Sequence, residues 1–389
     1  MVPNLRFPYK GDWHKRKLNE ICLFFKGNGL SKSDLSNEGF PCILYGELYT
    51  TYKNEVISDI VSKTTTTLSN PFLSKNNDLI IPGSGEDPID IAVARAIYQN
   101  DIILGGDLNV LRPKSNVSAA FLSYQLNGVR RYDIAKKAQG KSIVHLHNSD
   151  LKEVLVSIPT YDEQFHIVKL LTKIDEMIET QSKIISDYNS LKRGITQCIF
   201  NTSQQYSNVH LKVILKEISR KNKNRDNNNI LSVSNSLGFI KQSEQFEDRE
   251  IASSDTSNYK IVNKNEYAYN PARINVGSIA RLQNFDCGIV SPMYTIFTID
   301  ISKITYEYFD LFLQSSTFQK QLSQKLEGSV RQCLTFASMQ NILIKLPPLE
   351  TQIEISGKMK FIDSKIKLES DYLNLLQSEK NYLLKNLFI

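Results

Sequence analysis

The stretch from Gly140 to Phe200 is written again from Gly328 to Phe388, without a gap, at one fixed offset of 188 residues (347 − 159). That offset sets Pro159 on Pro347, Gln164 on Gln352, Ile174-Asp175 on Ile362-Asp363 and Ile178 on Ile366. A chain carrying two copies of one unit must fold into two similar halves, and a pseudo-symmetric protein suits a two-part target. The 389 residues suffice for two domains, each with its own core. With 41% apolar and 23% charged residues the composition is that of a soluble globular protein, and no apolar run approaches bilayer length. Met1-Val2-Pro3-Asn4-Leu5-Arg6 lacks the apolar stretch of a signal peptide, and Cys22, Cys42, Cys198, Cys287 and Cys333 form no CxxC pair. No membrane partner and a reducing cytoplasm are therefore expected. The net charge of +6 favours a polyanionic partner without demanding one.

Each half opens with short β-like runs. Pro41–Tyr45 and Asn77–Ile81 lead into the turn Pro82-Gly83-Ser84-Gly85, and Ile230–Val233 and Asn265–Tyr269 lead into Asn270-Pro271. The repeat thus extends weakly into segments whose side chains differ, which predicts one scaffold with two surfaces. Helical patterns follow from Phe121 and from Phe309, each ending at a glycine, Gly140 or Gly328. An apolar run (Val154–Ile158, Ile342–Leu346) then stops at Pro159 or Pro347-Pro348, where a long helix begins. Thr160-x-x-Glu163 and Thr351-x-x-Glu354 have capping-box spacing. Leu171, Ile174, Ile178, Ile185, Tyr188, Ile195 and Ile199 fall on a three-four rhythm, matched by Met359, Ile362, Ile366, Leu373, Leu376, Leu383 and Leu387. That spacing predicts two helices of roughly 55 Å, paired as a coiled coil or packed on their own domains.

The search for catalytic chemistry is mostly empty. Phe25-Lys26-Gly27-Asn28-Gly29 matches the F-x-G-x-G turn of S-adenosylmethionine enzymes, but no α/β nucleotide-binding pattern follows. Asn270-Pro271-Ala272-Arg273 lacks the second proline and the aromatic of an amino-methyltransferase loop. Gly140-Lys141-Ser142 ends like a phosphate-binding loop, yet Ala135 stands where that loop needs glycine. His145-x-His147 has no third ligand at metal spacing, so no metal site is expected.

Basic residues recur at the same place in each half. Arg130, Arg131, Lys136, Lys137, Lys141 and Ser142 surround Gly140, and Lys320, Lys325, Ser329 and Arg331 surround Gly328. Lys, Arg and Ser beside a glycine turn suit phosphate contacts, although a solvated helix face is the plainer account. Arg273 and Arg281 around the polar turn Asn275–Ser278, with Arg95 and Ser84 in the first half, are candidates for reading base edges.

This layout, with the phrase Pro159-Thr160-Tyr161-Asp162-Glu163-Gln164 and its counterpart Pro347-Pro348-Leu349-Glu350-Thr351-Gln352, resembles the specificity subunit of type I restriction-modification systems. In the counterpart Thr351 separates Glu350 from Gln352, a small departure from the phrase. The resemblance implies an α+β chain of two similar α/β-type target-recognition domains, 1–158 and 203–346. Two long helices, 159–202 and 347–389, would join them as an antiparallel coiled coil with a pseudo-twofold repeat. It implies a non-catalytic subunit in which each domain reads half of a split double-stranded DNA target and the helices set the spacer. The implied partners are two modification subunits, which would carry S-adenosylmethionine, and restriction subunits, which would use ATP and Mg; this chain would hold no cofactor. Ile174, Ile178, Ile185, Ile362, Ile366 and Leu373 would serve helix pairing or partner docking. The alternative is a single-chain DNA methyltransferase or restriction enzyme using Phe25–Gly29 as its cofactor loop.

Overall fold

The computed structural model describes residues 2–202, 206–235, 237–242, 255–327 and 332–389. They form two compact units, Met1–Lys183 together with Ser370–Ile389, and Ile184–Glu369.

The first unit is built on a five-stranded sheet in the order Cys22–Lys26, Leu108–Pro113, Asp78–Pro82, Arg95–Ile97, Val56–Ile57. Leu79, Ile80 and Ile81 are all fully buried, as a strand can be only when both faces of its sheet are covered. Leu79 and Ile81 join the core that holds Trp13, Phe121 and Leu171. Ile80 turns to the other face and packs with Ile43, Leu104 and Val110. That second layer is a smaller sheet in which Ile103–Leu104 runs parallel to Phe40–Ile43.

The second unit repeats this plan. Its sheet runs Leu215–Ile218, Thr295–Ile299, Tyr267–Tyr269, Ile279–Arg281. Tyr267, Tyr269 and Phe297 face a core with Phe309, Phe312 and Phe200, while Ala268 and Ile296 face Leu231, Val262 and Val290. A parallel bridge between Ile230 and Ile289 stands where the parallel pair stands in the first unit. In both units the strand before the long helix pairs antiparallel with one near the start of the half, Leu155–Ile158 with His14–Lys17 and Leu343–Lys345 with Asn208–His210.

The long helices span Tyr161–Gln197 and Leu349–Asn386. Expected as segments of their own, they are divided between the two cores. Leu171 and Ile174 belong to the first core and Ile178 packs against it, whereas Tyr188, Ile195 and Ile199 pack against the second. On the other helix Met359 and Ile362 belong to the second core, with Ile366 against it, and Leu383 and Leu387 belong to the first. Ile185 and Leu373 are half-buried and join neither core. Each unit also holds one lysine-aspartate pair between the helices. Lys380 Nζ lies 2.6 Å from Asp175 Oδ1 in the first unit, and Lys192 Nζ 2.5 Å from Asp363 Oδ1 in the second. Within the first unit the chain's outer segments meet: Leu5 N donates to Asn386 O at 2.9 Å and Asn4 Nδ2 to Asn386 Oδ1 at 3.4 Å.

The repeated phrase is a backbone lock. Gln164, fully buried, accepts from Ser118 N at 2.9 Å and donates to Asn116 O and Pro159 O, both at 3.1 Å. Gln352, equally buried, accepts from Thr305 N at 2.9 Å and donates to Lys303 O at 2.9 Å and Pro347 O at 2.8 Å. Ser118 and Thr305 are the N-caps of helices Ala119–Asn127 and Tyr306–Leu313. One amide thus ties a helix cap to the proline turn that starts the long helix. Gln164→Leu or Gln352→Leu orphans one N–H and two carbonyls in a dry site, so urea denaturation should show a loss of roughly 2–5 kcal/mol.

The expected capping boxes are not formed as boxes. Thr160 Oγ1 accepts from Glu163 N at 3.4 Å, but the Glu163 carboxylate is taken by Arg6, at 2.7 and 2.8 Å, and by Trp13 Nε1 at 3.2 Å. A buried indole and a half-buried guanidinium outcompete the backbone for it. The second helix already starts at Leu349, which puts Thr351 inside its first turn, and Glu354 pairs with Lys358 instead.

Candidate nucleic-acid interface

The first glycine turn is closed by a bridge between Gln139 and His145, and a bridge between Glu327 and Cys333 stands at the same offset in the second half. Gly140 has φ +132°, and a Cβ there would lie 2.0 Å from Ile143 O, so only glycine fits. Lys141, Ser142 and Ile143 project from the first turn into solvent, beside exposed Lys136 and half-buried Lys137. The side chains of Lys136, Lys137 and Lys141 make no hydrogen bond or ion pair among the described residues. Lys320 is exposed and Lys325 half-buried near the second turn, while Gly328, Ser329 and Arg331 lie outside the described residues.

Several candidate readers are instead committed inside the fold. Ser84 is buried, donates to Asp107 Oδ2 at 3.2 Å, and lies 3.0 Å from His145 Nδ1. Arg95 is buried with Nε donating to Leu48 O at 3.1 Å, and burial lowers its pKa. Arg281 pairs with Asp310 at 2.8 Å, sits 4.9 Å over the Tyr306 ring and is all but enclosed. Burial raises the Asp310 pKa against that arginine, and Tyr267 donates to the same carboxyl at 2.7 Å. Ser278 is buried and donates to Val233 O at 3.2 Å. In the flanking helix Arg130 donates to Ile389 O at 3.0 Å and pairs with Asp133 at 3.2 Å, while Arg131 donates twice to Ile89 O. The sequence pattern could not separate these from free polar groups, because apart from the Arg130–Asp133 pair their partners lie tens of residues away along the chain.

The Phe25–Gly29 loop is filled by protein. A Cβ on Gly27 would meet Gly105 O at 2.2 Å, and Asn28 donates to Asn70 O and accepts from Phe72 N, both at 3.0 Å. The Phe25 ring packs 5.6 Å from Phe72 and under the Arg112 guanidinium at 5.0 Å. Gly27 therefore serves close backbone packing here.

Arg273 behaves otherwise. It is exposed, has no partner among the described residues, and stands on a turn closed by Asn270 N to Ser278 O at 3.1 Å and Ser278 N to Arg273 O at 3.2 Å. That turn borders a cavity of about 390 Å³ with Asn235, Ser291 and Met293 on its wall. The cavity opens beyond the strands Leu231–Ser234 and Cys287–Val290. The first unit has a cavity of about 730 Å³ beyond the corresponding strands, Phe40–Ile43 and Ile103–Leu104, lined by Lys32, Tyr45, Thr51 and Asp107. Asn235, Ser291 and Lys32 carry no signal in the sequence that marks them out.

The type I restriction modification DNA specificity domain matches this chain twice, over residues 10–187 and 200–378. The type I restriction enzyme MjaVIII specificity subunit of Methanocaldococcus jannaschii is 21% identical, over 96% of this chain and 91% of that protein. The putative MjaX specificity subunit of the same organism is 30% identical over 113 residues, a local match of 27% of this chain and 26% of that protein. The fold is similar to a type I restriction-modification S subunit from M. genitalium, with a TM-score of 0.62 at 17% identity over 100% of this chain and 99% of that one. A structure from work on complex assembly and conformational transition of the type I R-M system gives a TM-score of 0.59 at 14% identity, over 97% and 98%.

Proposed function

Since the chain belongs to the type I restriction modification DNA specificity family, as a specificity subunit with two copies of its domain, we propose that each unit reads one half of a split, asymmetric double-stranded DNA sequence. The observation that carries this is one topology built twice with different groups at the cavity mouths. Lys32, Tyr45 and Asp107 stand at one, Asn235, Arg273 and Ser291 at the other. Equal scaffolds with unequal walls suit a target whose halves differ in sequence.

The long helices would act as the ruler between half-sites, paired as an antiparallel coiled coil with a pseudo-twofold repeat. The Lys380–Asp175 and Lys192–Asp363 pairs support this, since the repeat offset of 188 carries the aspartate and lysine of the first helix onto the aspartate and lysine of the second (363 − 175, 380 − 192). The second long helix leaves Phe361, Leu368, Tyr372, Leu375 and Tyr382 exposed at seven-four-three-seven spacing, where the first carries Lys173, Thr180, Ile184, Asp187 and Gly194. An apolar stripe of that kind suits a helical partner. Modification subunits holding S-adenosylmethionine would dock on the helices and restriction subunits using ATP and Mg would join them, with this chain contributing recognition and no catalysis. Of the described residues offered for DNA, Lys136, Lys137, Lys141, Ser142, Lys325 and Arg273 remain the candidates, the lysines and Ser142 for phosphates, and Ser329 and Arg331 keep the same assignment.

Co-expression with modification subunits, followed by genome-wide methyladenine sequencing, should give one motif of two short half-sites with a fixed gap. Methylation without such a motif would overturn the split-target reading. Replacing Lys136, Lys137 and Lys141 with alanine should weaken DNA binding equally for cognate and random duplexes, and lower the slope of log affinity against log salt by about one per lysine lost from a phosphate.

A further inference from the structure

Resting on the split-target reading, we infer that the cavity mouth of the second unit is its base-reading site, and that Arg273 reads a guanine and Asn235 an adenine of one half-site there. Three observations converge. The first is recurrence: a cavity opens beyond the corresponding strands in both units, although their lining side chains share almost nothing. A packing flaw has no reason to recur at one topological place while its walls change.

The second is rigidity without commitment. The Arg273 turn is held by its own backbone bonds, by Ala272 N on Asn270 Oδ1 at 3.1 Å, and by Leu334 N on Pro271 O at 3.0 Å. Gly277, at φ +89°, lets it close against Asn235, since a Cβ there would lie 3.2 Å from the Asn235 Cβ. The fold therefore fixes the backbone under Arg273 and sets Asn235 against that turn, yet neither side chain has a hydrogen bond or ion pair among the described residues. A preorganised backbone beneath free polar groups is what recognition requires. The buried Gln242 Oε1 on the same wall is also without a partner.

The third is chemistry. A guanidinium fork fits guanine O6 and N7, a carboxamide fits adenine N6 and N7, and apolar tips suit a thymine methyl. Arg273 and Asn235 supply the first two, and Val276 and Met293, both strongly exposed at the same mouth, supply the third. The first unit offers Lys32, Tyr45 and Asp107 instead, so its half-site is expected to differ.

The test uses the assembled complex with its modification subunits and reads methylation at every single-base variant of the target. Arg273→Ala and Asn235→Ala should each lower discrimination about 5- to 150-fold at one or two positions, both within the same half-site, leaving the other half and the gap unchanged. Arg273→Lys keeps the charge and loses the fork, so it should relax the same position as Arg273→Ala. Lys32→Ala should relax the opposite half. Unchanged thermal melting and complex assembly keep a folding defect from imitating these results, and a variant that melts early is replaced by Arg273→Gln or Asn235→Ser. A motif unchanged in both halves, or methylation reduced evenly at all positions, overturns the assignment of these residues. A parent complex that methylates without any split motif overturns the underlying reading instead.

Discussion

A chain ending at Glu369 is expected to lose its first unit and keep its second. Residues 370–389 supply Leu383, Leu387 and Phe388 to the first core, where Phe388 lies 5.2 Å from the Phe121 ring and 6.3 Å from Trp13. At about 1.5–3 kcal/mol for each buried side chain, these three contribute on the order of 5–9 kcal/mol, comparable to the whole stability of an ordinary domain. Removing them also strips Lys380 from Asp175 and Glu55. Hydrogen exchange should show amides of Leu79–Ile81 and Phe121–Leu126 at near-unfolded rates, while those of Tyr267–Tyr269 and Thr295–Ile299 stay protected. Retained protection in the first sheet would show that the distal helix is dispensable to it.

Lys380→Met and Lys192→Met, at matching places in the repeat, should differ by several kcal/mol. Lys380 Nζ is enclosed between Glu55 Oε2 at 2.7 Å and Asp175 Oδ1 at 2.6 Å, with Tyr124 donating to Asp175 at 2.6 Å. Both carboxylates are buried, so losing the lysine strands charge in a dry site at a cost of roughly 3–5 kcal/mol. Asp363, by contrast, is half exposed, and its pair with Lys192 is worth about 0–1 kcal/mol. Burial opposes the Lys380 charge, but Glu55 and Asp175 outweigh it and raise the lysine pKa. The stability that the lysine contributes is therefore complete below its ordinary pKa and lost only as pH rises through the raised value. Burial also raises the Asp175 pKa, so the folded state takes up a proton there and stability falls as pH climbs from the ordinary carboxylate value through the raised one. Without Lys380 that range widens upward. Urea denaturation should then show the Lys380→Met deficit largest near about pH 7 and smaller near about pH 4.5. A deficit independent of pH would assign the loss to packing of the lysine stem.

What the sequence disclosed and what it hid divide along a physical line. The repeat, the strands from Pro41 and Asn77 and the long helices after Pro159 and Pro347 were legible, because periodicity and proline stops are local. The helical stretches from Phe121 and Phe309, by contrast, each break into two helices, Ala119–Asn127 with Arg131–Ala135 and Tyr306–Leu313 with Ser316–Lys325, and do not run on to Gly140 or Gly328. The role of Gln164 was not, since a side chain with three backbone partners at Asn116, Ser118 and Pro159 has no pattern until the chain is folded. The arginines show the same limit. Arg95, Arg281 and Arg273 are equivalent as letters, but long-range partners bury the first two and leave only Arg273 free for a ligand. The division of the long helices between two cores was hidden for a similar reason, as a heptad rhythm fixes which face is apolar and not which core receives it.

The contact of Leu5 with Asn386 bears on how such a chain can be rearranged. Its outer segments lie side by side in one unit, so a short peptide joining them and a new opening near residues 206–207 would leave every described strand pairing in place. Such a circular permutant should fold and melt like its parent. The order of the two halves along the chain would then be free to change without altering the strand pairings within either unit.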